Sequence, residues 1–175
     1  AKGCTAVIST IGAIGTDQDL VINAATGSAA LGAKAANVDH FVYISVAPEV
    51  KEFAKDIDFL KPYMQGKTFS QDAVSANFAE KATLIEPTFI YGGDSFNLNP
   101  PRVAGFYGEF IEALLSSGPI RAITNVAPEG IVKIALEPPV SVDAVANAAV
   151  AGALGKMDTT VLDTHDKIVT AATLL

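Results

Sequence analysis

Tyr63-Met-Gln-Gly-Lys67 sets a phenol and an ammonium four positions apart. On a helix that spacing brings both side chains to one face. A cation beside a phenol favours the phenolate, so a tyrosine held this way acts as general acid or base nearer neutral pH than its ordinary value of ~10 allows. The same spacing also occurs on solvated helix faces. Ser45 closes the strongest β-favouring block, Phe41-Val-Tyr-Ile-Ser-Val46, and open α/β sheets collect their ligands at the carboxyl ends of strands. Ser45, Tyr63 and Lys67 together compose a hydroxyl that orients a carbonyl, a proton donor and a charge that tunes it. A serine in that place also reads as an ordinary turn or cap residue. The remaining candidates do not assemble. His40 and His165 are far apart and lack acidic or cysteine residues at ligand spacing, so no metal site is expected. Cys4 reads as a small buried hydrophobe and Asp94, after Gly92-Gly93, as a turn residue.

The elements that would position these residues follow from the apolar pattern. Thr5-Ala-Val-Ile-Ser9, Phe41-Val-Tyr-Ile-Ser-Val46, residues 82–90 and Thr159-Thr-Val-Leu162 are short β-favouring runs. The first two are nearly continuous in apolar character, as strands covered on both faces of a parallel sheet are. Between them, Thr16 with Asp19 three positions on resembles a capping box. Leu20, Ala24, Gly27, Leu31 and Ala35 then recur at helical spacing, and they are expected to form the buried face. Pro62, tolerated in a first helical turn, opens a second helix to about Asn77. Residues 105–115 read as an amphipathic helix and 116–130 as irregular chain. Pro138 and Pro139 exclude regular structure locally, Ser141 caps a helix over 142–154, and a final helix closes the chain. Strands alternating with helices define an α/β protein with right-handed crossovers, here a doubly wound parallel sheet.

Composition narrows the partners. Of 175 residues half are apolar, and 12 basic against 19 acidic side chains leave a net charge of −7. The mean hydropathy is +0.35. Lys and Arg form no patch, which excludes nucleic acid and anionic membrane surfaces as expected partners. No apolar run reaches the ~18 residues a membrane helix requires. A single cysteine forms no internal disulfide.

Taken in order, Ala6-Val-Ile-Ser-Thr-Ile-Gly-Ala-Ile-Gly15, Val21-Ile-Asn23, Ala35-Ala-Asn-Val-Asp-His-Phe-Val-Tyr-Ile-Ser45, Tyr63-Met-Gln-Gly-Lys67 and Ile85-Glu-Pro-Thr-Phe-Ile-Tyr-Gly92 resemble the short-chain dehydrogenase/reductase superfamily in its atypical, NAD(P)-binding branch. Pro138-Pro-Val-Ser-Val-Asp-Ala-Val-Ala146 is similar to the "PPV-x-V-D-D-V-A" segment of organelle-located members, with Ala144 where that pattern has its second Asp. Those members include relatives of the nucleotide-binding accessory subunit of respiratory complex I.

The resemblance implies a Rossmann-like sheet of which the chain carries only the carboxyl-terminal part, from about the fourth strand onward. Residues 1–175 would form one partial NAD(P)-binding-like domain, with 93–139 a loop-rich substrate or partner region within it. Ser45, Tyr63 and Lys67 fall on the catalytic positions. Ser9 and Gly12 would lie beside the adenosine half of the cofactor, Asn23 matches an Asn of the fourth helix, and Lys67 would also hold the nicotinamide ribose. Pro87 and Thr88 would pass the nicotinamide. Gly12 and Gly15 read equally as a plain strand-to-helix turn, and Asn23 as a surface helix residue. The family's opening strand, its G-x-x-G-x-x-G turn and the helix that receives the pyrophosphate are not among these residues. At ~30 residues per unit, the two or three missing strand–helix units amount to roughly 60 to 80 residues. NAD or NADP is therefore expected to bind only with that amino-terminal segment, and no cofactor is expected for the chain alone. The apolar edge of residues 5–9 would be covered by that segment or by a protein partner.

Two functions are then expected. One is oxidoreductase or epimerase-type chemistry on NAD(P). The alternative is a non-catalytic accessory subunit of a large organellar complex, respiratory or photosynthetic, associated peripherally with its membrane part. Both place the protein inside a plastid or mitochondrion. A nucleotide-binding regulator without turnover is a third reading of the same residues.

Overall fold

A computed structural model describes residues 3–55, 57–92 and 137–175. Four short strands, β1 (Ala6–Ser9), β2 (His40–Ile44), β3 (Ala82–Ile85) and β6 (Val161–Leu162), pair in parallel in the order β1-β2-β3-β6. The register sets Val7 against Phe41, Tyr43 against Leu84 and Ile85 against Leu162. A separate parallel pair joins β4 (Ile90–Tyr91) to β5 (Val140–Ser141). Because side chains alternate across a strand, β2 sends Phe41 and Tyr43 to one face of the sheet and Val42 and Ile44 to the other. The first face packs with Ala30, Ala33, Val74, Phe78 and Leu84. The second packs with Ile85, Val145, Ala148, Leu162 and Ile168.

Helices α1 (Asp19–Ala35) and α3 (Lys61–Phe78) cover the first face. The short α2 (Pro48–Ala54) and a 3₁₀ turn at Asp58–Leu60 fill the charged stretch before α3. Pro62 lies in the first turn of α3, where its missing N–H costs no helical bond. Helices α4 (Val142–Ala153) and α5 (His165–Ala172) cover the second face. The Ser141 hydroxyl accepts from Ala144 N at 3.1 Å and so caps α4 as its position in the chain requires.

The buried face of α1 is not the expected one. Leu20 and Leu31 are exposed, Gly27 of the expected face is buried, and Asp19, Asn23, Thr26, Ala30 and Ala33 are buried with it. The reason is the closeness of α3. A Cβ on Gly66 of α3 would lie 2.7 Å from both Asn23 Cβ and the Leu20 carbonyl oxygen. Only small residues, or polar ones with partners at hand, fit at that separation. The Ser70 hydroxyl supplies such a pairing, donating to Asn23 O at 2.6 Å and accepting from Gly27 N at 3.2 Å.

The start of α1 also departs from a capping box. It is the Asp19 carboxylate that accepts, from Gly15 N at 2.8 Å, Thr16 N at 2.9 Å and the Thr16 hydroxyl at 2.6 Å. The third strand stops at Ile85, not at Ile90, because Pro87 has no N–H to continue a ladder. The chain then passes to the second small sheet. Cys4 is exposed, not buried. The expected helix over 105–115 and the irregular chain over 116–130 lie outside the described residues, as does Asp94.

Candidate functional site

The carboxyl ends of β1, β2 and β3 come together with one face of α3. Lys67 reaches from α3 between the first two strands and donates to the carbonyl oxygens of Ile11, at 3.1 Å, and Ile44, at 3.0 Å. Its Nζ lies 5.1 Å from the Tyr43 ring centroid and 5.9 Å from that of Tyr63, close enough for ring faces to help solvate the charge. Burial pushes the amine down to about 8, and Lys51 nearby pushes in the same direction.

Tyr63 stands one helical turn before Lys67, as the spacing requires. Its phenol does not move toward neutral pH. Burial and then the Asp19 carboxylate push it up to about 12. At pH 7 Tyr63 is therefore a protonated donor, its phenolate disfavoured first by desolvation and then by the Asp19 charge. Asp19 itself is held below the ordinary carboxylate range, first by the Thr16 hydroxyl and then by two backbone amides.

Ser45 follows β2, buried, with its backbone N–H bound to Ile85 O at 2.8 Å. Its hydroxyl donates to Gln71 Oε1 at 2.7 Å. The same amide oxygen accepts from Lys51 Nζ, which also faces the Glu86 carboxylate at 3.5 Å. Glu86 is 3% exposed, and burial raises its carboxyl against the opposing pull of Lys51.

The other sequence-predicted residues serve the frame around this centre. Gly12 passes under Lys67, where a Cβ would stand 3.1 Å from Nζ and 3.4 Å from Asn23 Oδ1. Asn23 is fully buried and staples the loop between β1 and α1. Its Nδ2 donates to Ala13 O at 2.6 Å and Asp19 O at 2.7 Å, and its Oδ1 accepts from Ala13 N at 3.4 Å. Ser9 is buried against Thr26, hydroxyl to hydroxyl at 2.7 Å. Pro87 is buried and its carbonyl accepts from Ala47 N at 3.2 Å, and Thr88 follows it half-buried. Lys67, Gly12 and Asn23 thus converge, Ser45 joins them only through its neighbour Ile44 and itself turns to Gln71, and the Ser9 and Asn23 side chains are turned inward.

Tyr43 adds an unforeseen feature beneath Lys67. Its ring is fully buried, and its hydroxyl has no hydrogen-bond partner among the described residues. The Ser70 hydroxyl beside it offsets part of the upward push of burial but spends its proton on Asn23 O.

Gln71, Lys51 and Glu86 join the site beyond the residues their types and spacing point to, and Asp19, expected only at a helix start, joins it too. Gln71 carried a signal, since it stands four residues beyond Lys67 and extends the Tyr63–Lys67 stripe. Glu86 carried one too, as a lone charge after four buried strand residues. Lys51 carried none.

The two histidines begin β2 and α5 and lie apart from these groups. No cluster of three metal-ligating side chains exists among the described residues. A cavity of about 450 Å³ lined by Met157, Leu162, Thr170 and Leu174 shares no residue with the Lys67 centre.

What the fold defines is an α/β protein with a four-stranded parallel sheet, polar groups collected at the carboxyl ends of its strands. No protein-family model matches the chain, and no curated protein matches it.

Proposed function

We propose that the chain is the carboxyl-terminal portion of an NAD(P)-dependent oxidoreductase of short-chain dehydrogenase/reductase type, built on a doubly wound, Rossmann-like sheet. The observation that carries this reading is Lys67, a buried amine tied to the ends of two adjacent parallel strands, one of them at the residue before Ser45, and set one helical turn from Tyr63. Of the expected cofactor contacts, Gly12 and Lys67 fit, since the glycine leaves open backbone beside the amine. Ser9 and Asn23 fit as supports of that backbone, their side chains being spent on Thr26, Ala13 and Asp19.

A bound nicotinamide dinucleotide would supply the hydride acceptor or donor. The chain's own residues do the rest. Ser45 holds the reacting oxygen of the substrate, and Tyr63 Oη gives up or receives the proton at that oxygen. Lys67 stabilises the phenolate that donation would leave. The dinucleotide's pyrophosphate would rest on a Gly-rich strand–turn–helix outside these residues.

The test is titration of NADH and NADPH onto the natural chain that includes such a segment, read by nicotinamide fluorescence and thermal shift. No change in either signal overturns the reading. Binding that persists in Tyr63→Phe with no turnover in either protein would leave a nucleotide-binding regulator.

A second reading, a non-catalytic accessory subunit of a plastid or mitochondrial complex, is favoured by one observation. Leu20, Val21, Leu31 and Phe69 are exposed on α1 and α3, and Ile8 on the outermost described strand is 41% exposed. No helix among the described residues is long and apolar enough to cross a membrane, so association would run through a protein partner at these faces. A purified chain that is well folded and monodisperse alone would count against it.

A further inference from the structure

Where β2 and β3 end, Ser45, Gln71, Lys51 and Glu86 form one connected polar cluster. The orientation of the Gln71 amide within it follows from Lys51. An ammonium only donates, so it faces the amide oxygen; turned over, Gln71 would present its NH₂ to the ammonium, donor against donor. That oxygen is also the atom 2.7 Å from Ser45 Oγ. A carbonyl oxygen only accepts, so the Ser45 proton is committed to Gln71 and lone pairs are what Oγ has left to offer. Glu86, 3% exposed and 3.5 Å from Lys51, keeps the ammonium in place.

We infer that Gln71, anchored by Lys51, makes the Ser45 hydroxyl a hydrogen-bond acceptor toward its ligand, so that the site selects an alcohol over the corresponding ketone. The inference rests on the reading above, in which Ser45 meets the reacting oxygen. Gln71 is a positioning residue in this scheme, acting through Ser45. An alcohol O–H then donates to Ser45 Oγ while its oxygen stays free to accept from the protonated Tyr63. A ketone would have to wait for Ser45 to break from Gln71.

The test uses a matched pair, cyclohexanol and cyclohexanone, titrated onto the isotope-labelled chain while the Ser45, Tyr63 and Gln71 side-chain resonances are followed. Cyclohexanol is expected to bind about five-fold tighter, the worth of one hydrogen bond. Gln71→Leu is expected to bring the ratio to about one, and Gln71→Glu, which keeps an acceptor oxygen, to preserve it. A ratio of affinities is insensitive to a general loosening of the fold. Should Gln71→Leu fail to fold, Lys51→Met, which frees the amide to turn, is expected to lower the ratio in the same way. Equal or reversed preference in the unaltered chain, a ratio unmoved in the folded variants, or neither probe shifting those resonances overturns the inference. No dinucleotide enters the experiment, so a longer chain that fails to bind NAD(P)H would overturn the oxidoreductase reading and leave this result standing.

Discussion

On the face of the sheet covered by α1 and α3, polar side chains are buried among the apolar ones, and Asn23, Thr26, Ser70 and Lys67 each spend their hydrogen bonds on named partners. On the face covered by α4 and α5, the core is Val42, Ile85, Val140, Val145, Leu162 and Ile168 with alanines between them. The second face is held mainly by area and fit, with Thr83 a buried polar residue against Gly152. The first needs its buried donors and acceptors matched, because an unpaired one costs about 1–3 kcal/mol, and the Tyr43 hydroxyl is left without a partner among the described residues. The difference teaches where specificity is stored. Close contact between α1 and α3 sets Asn23, Gly12 and Lys67 in one geometry, and that geometry is what the strand ends present.

The comparison is broken most severely at Lys67. If the oxidoreductase reading holds, Lys67→Met lowers turnover by about 10²- to 10⁴-fold while the fold survives, since an apolar chain of similar length replaces a buried amine. Steady-state kinetics beside a thermal melt check both halves. On the opposite face, Ile168→Ala, at a fully buried position, costs about 2–5 kcal/mol of unfolding free energy and leaves the Lys67 centre untouched. Urea unfolding measures the first, and an unchanged ligand-binding ratio the second.

A pH series sharpens the contrast further. Lys67 holds its proton only up to about 8 in the folded protein, against 10.5 ordinarily. Between those values the unfolded chain binds a proton that the folded chain has released, so stability rises with pH, by on the order of 3 kcal/mol if nothing opposes it. Tyr63 opposes it at the upper end. Its phenol stays protonated to about 12 in the fold, where the unfolded phenol ionises near 10, so stability falls from pH 10 upward. The net rise is therefore expected between pH 8 and 10, and it disappears in Lys67→Met. A rise of equal size in that variant would assign it elsewhere. The smallest effect belongs to Asn23→Ala, which forfeits the staple on Ala13 and Asp19 and costs about 2 kcal/mol. Faster amide exchange should be confined to the loop between β1 and α1.

Much of this frame was legible residue by residue. The apolar blocks at residues 6–9 and 40–44 are strands because β-branched and aromatic side chains fill both faces there, and Pro62 and Ser141 mark helix starts by chemistry that acts locally. The buried face of α1 was not legible. Leu20 and Leu31 are the apolar residues at helical spacing, yet they point outward, while Asn23 and Thr26 point inward. Hydropathy assigns a polar side chain to water because it has no record of the partner waiting inside. Within the site, Tyr63 and Lys67 could be paired from their spacing alone, but the direction of the Tyr63 shift could not, since burial reverses it.

By itself the sequence determined what acts over a few residues. It set the alternation of strand and helix, the shared face of Tyr63, Lys67 and Gln71 on α3, and a net charge of −7. The tertiary structure decided what depends on neighbours distant along the chain. Lys51 meets Glu86 across 35 positions and Lys67 meets Ile11 across 56. The distance between α1 and α3 decides which side of α1 is inside. Both follow from one physical fact: the cost of burying a polar group is set by its partners, and partners are supplied by the fold.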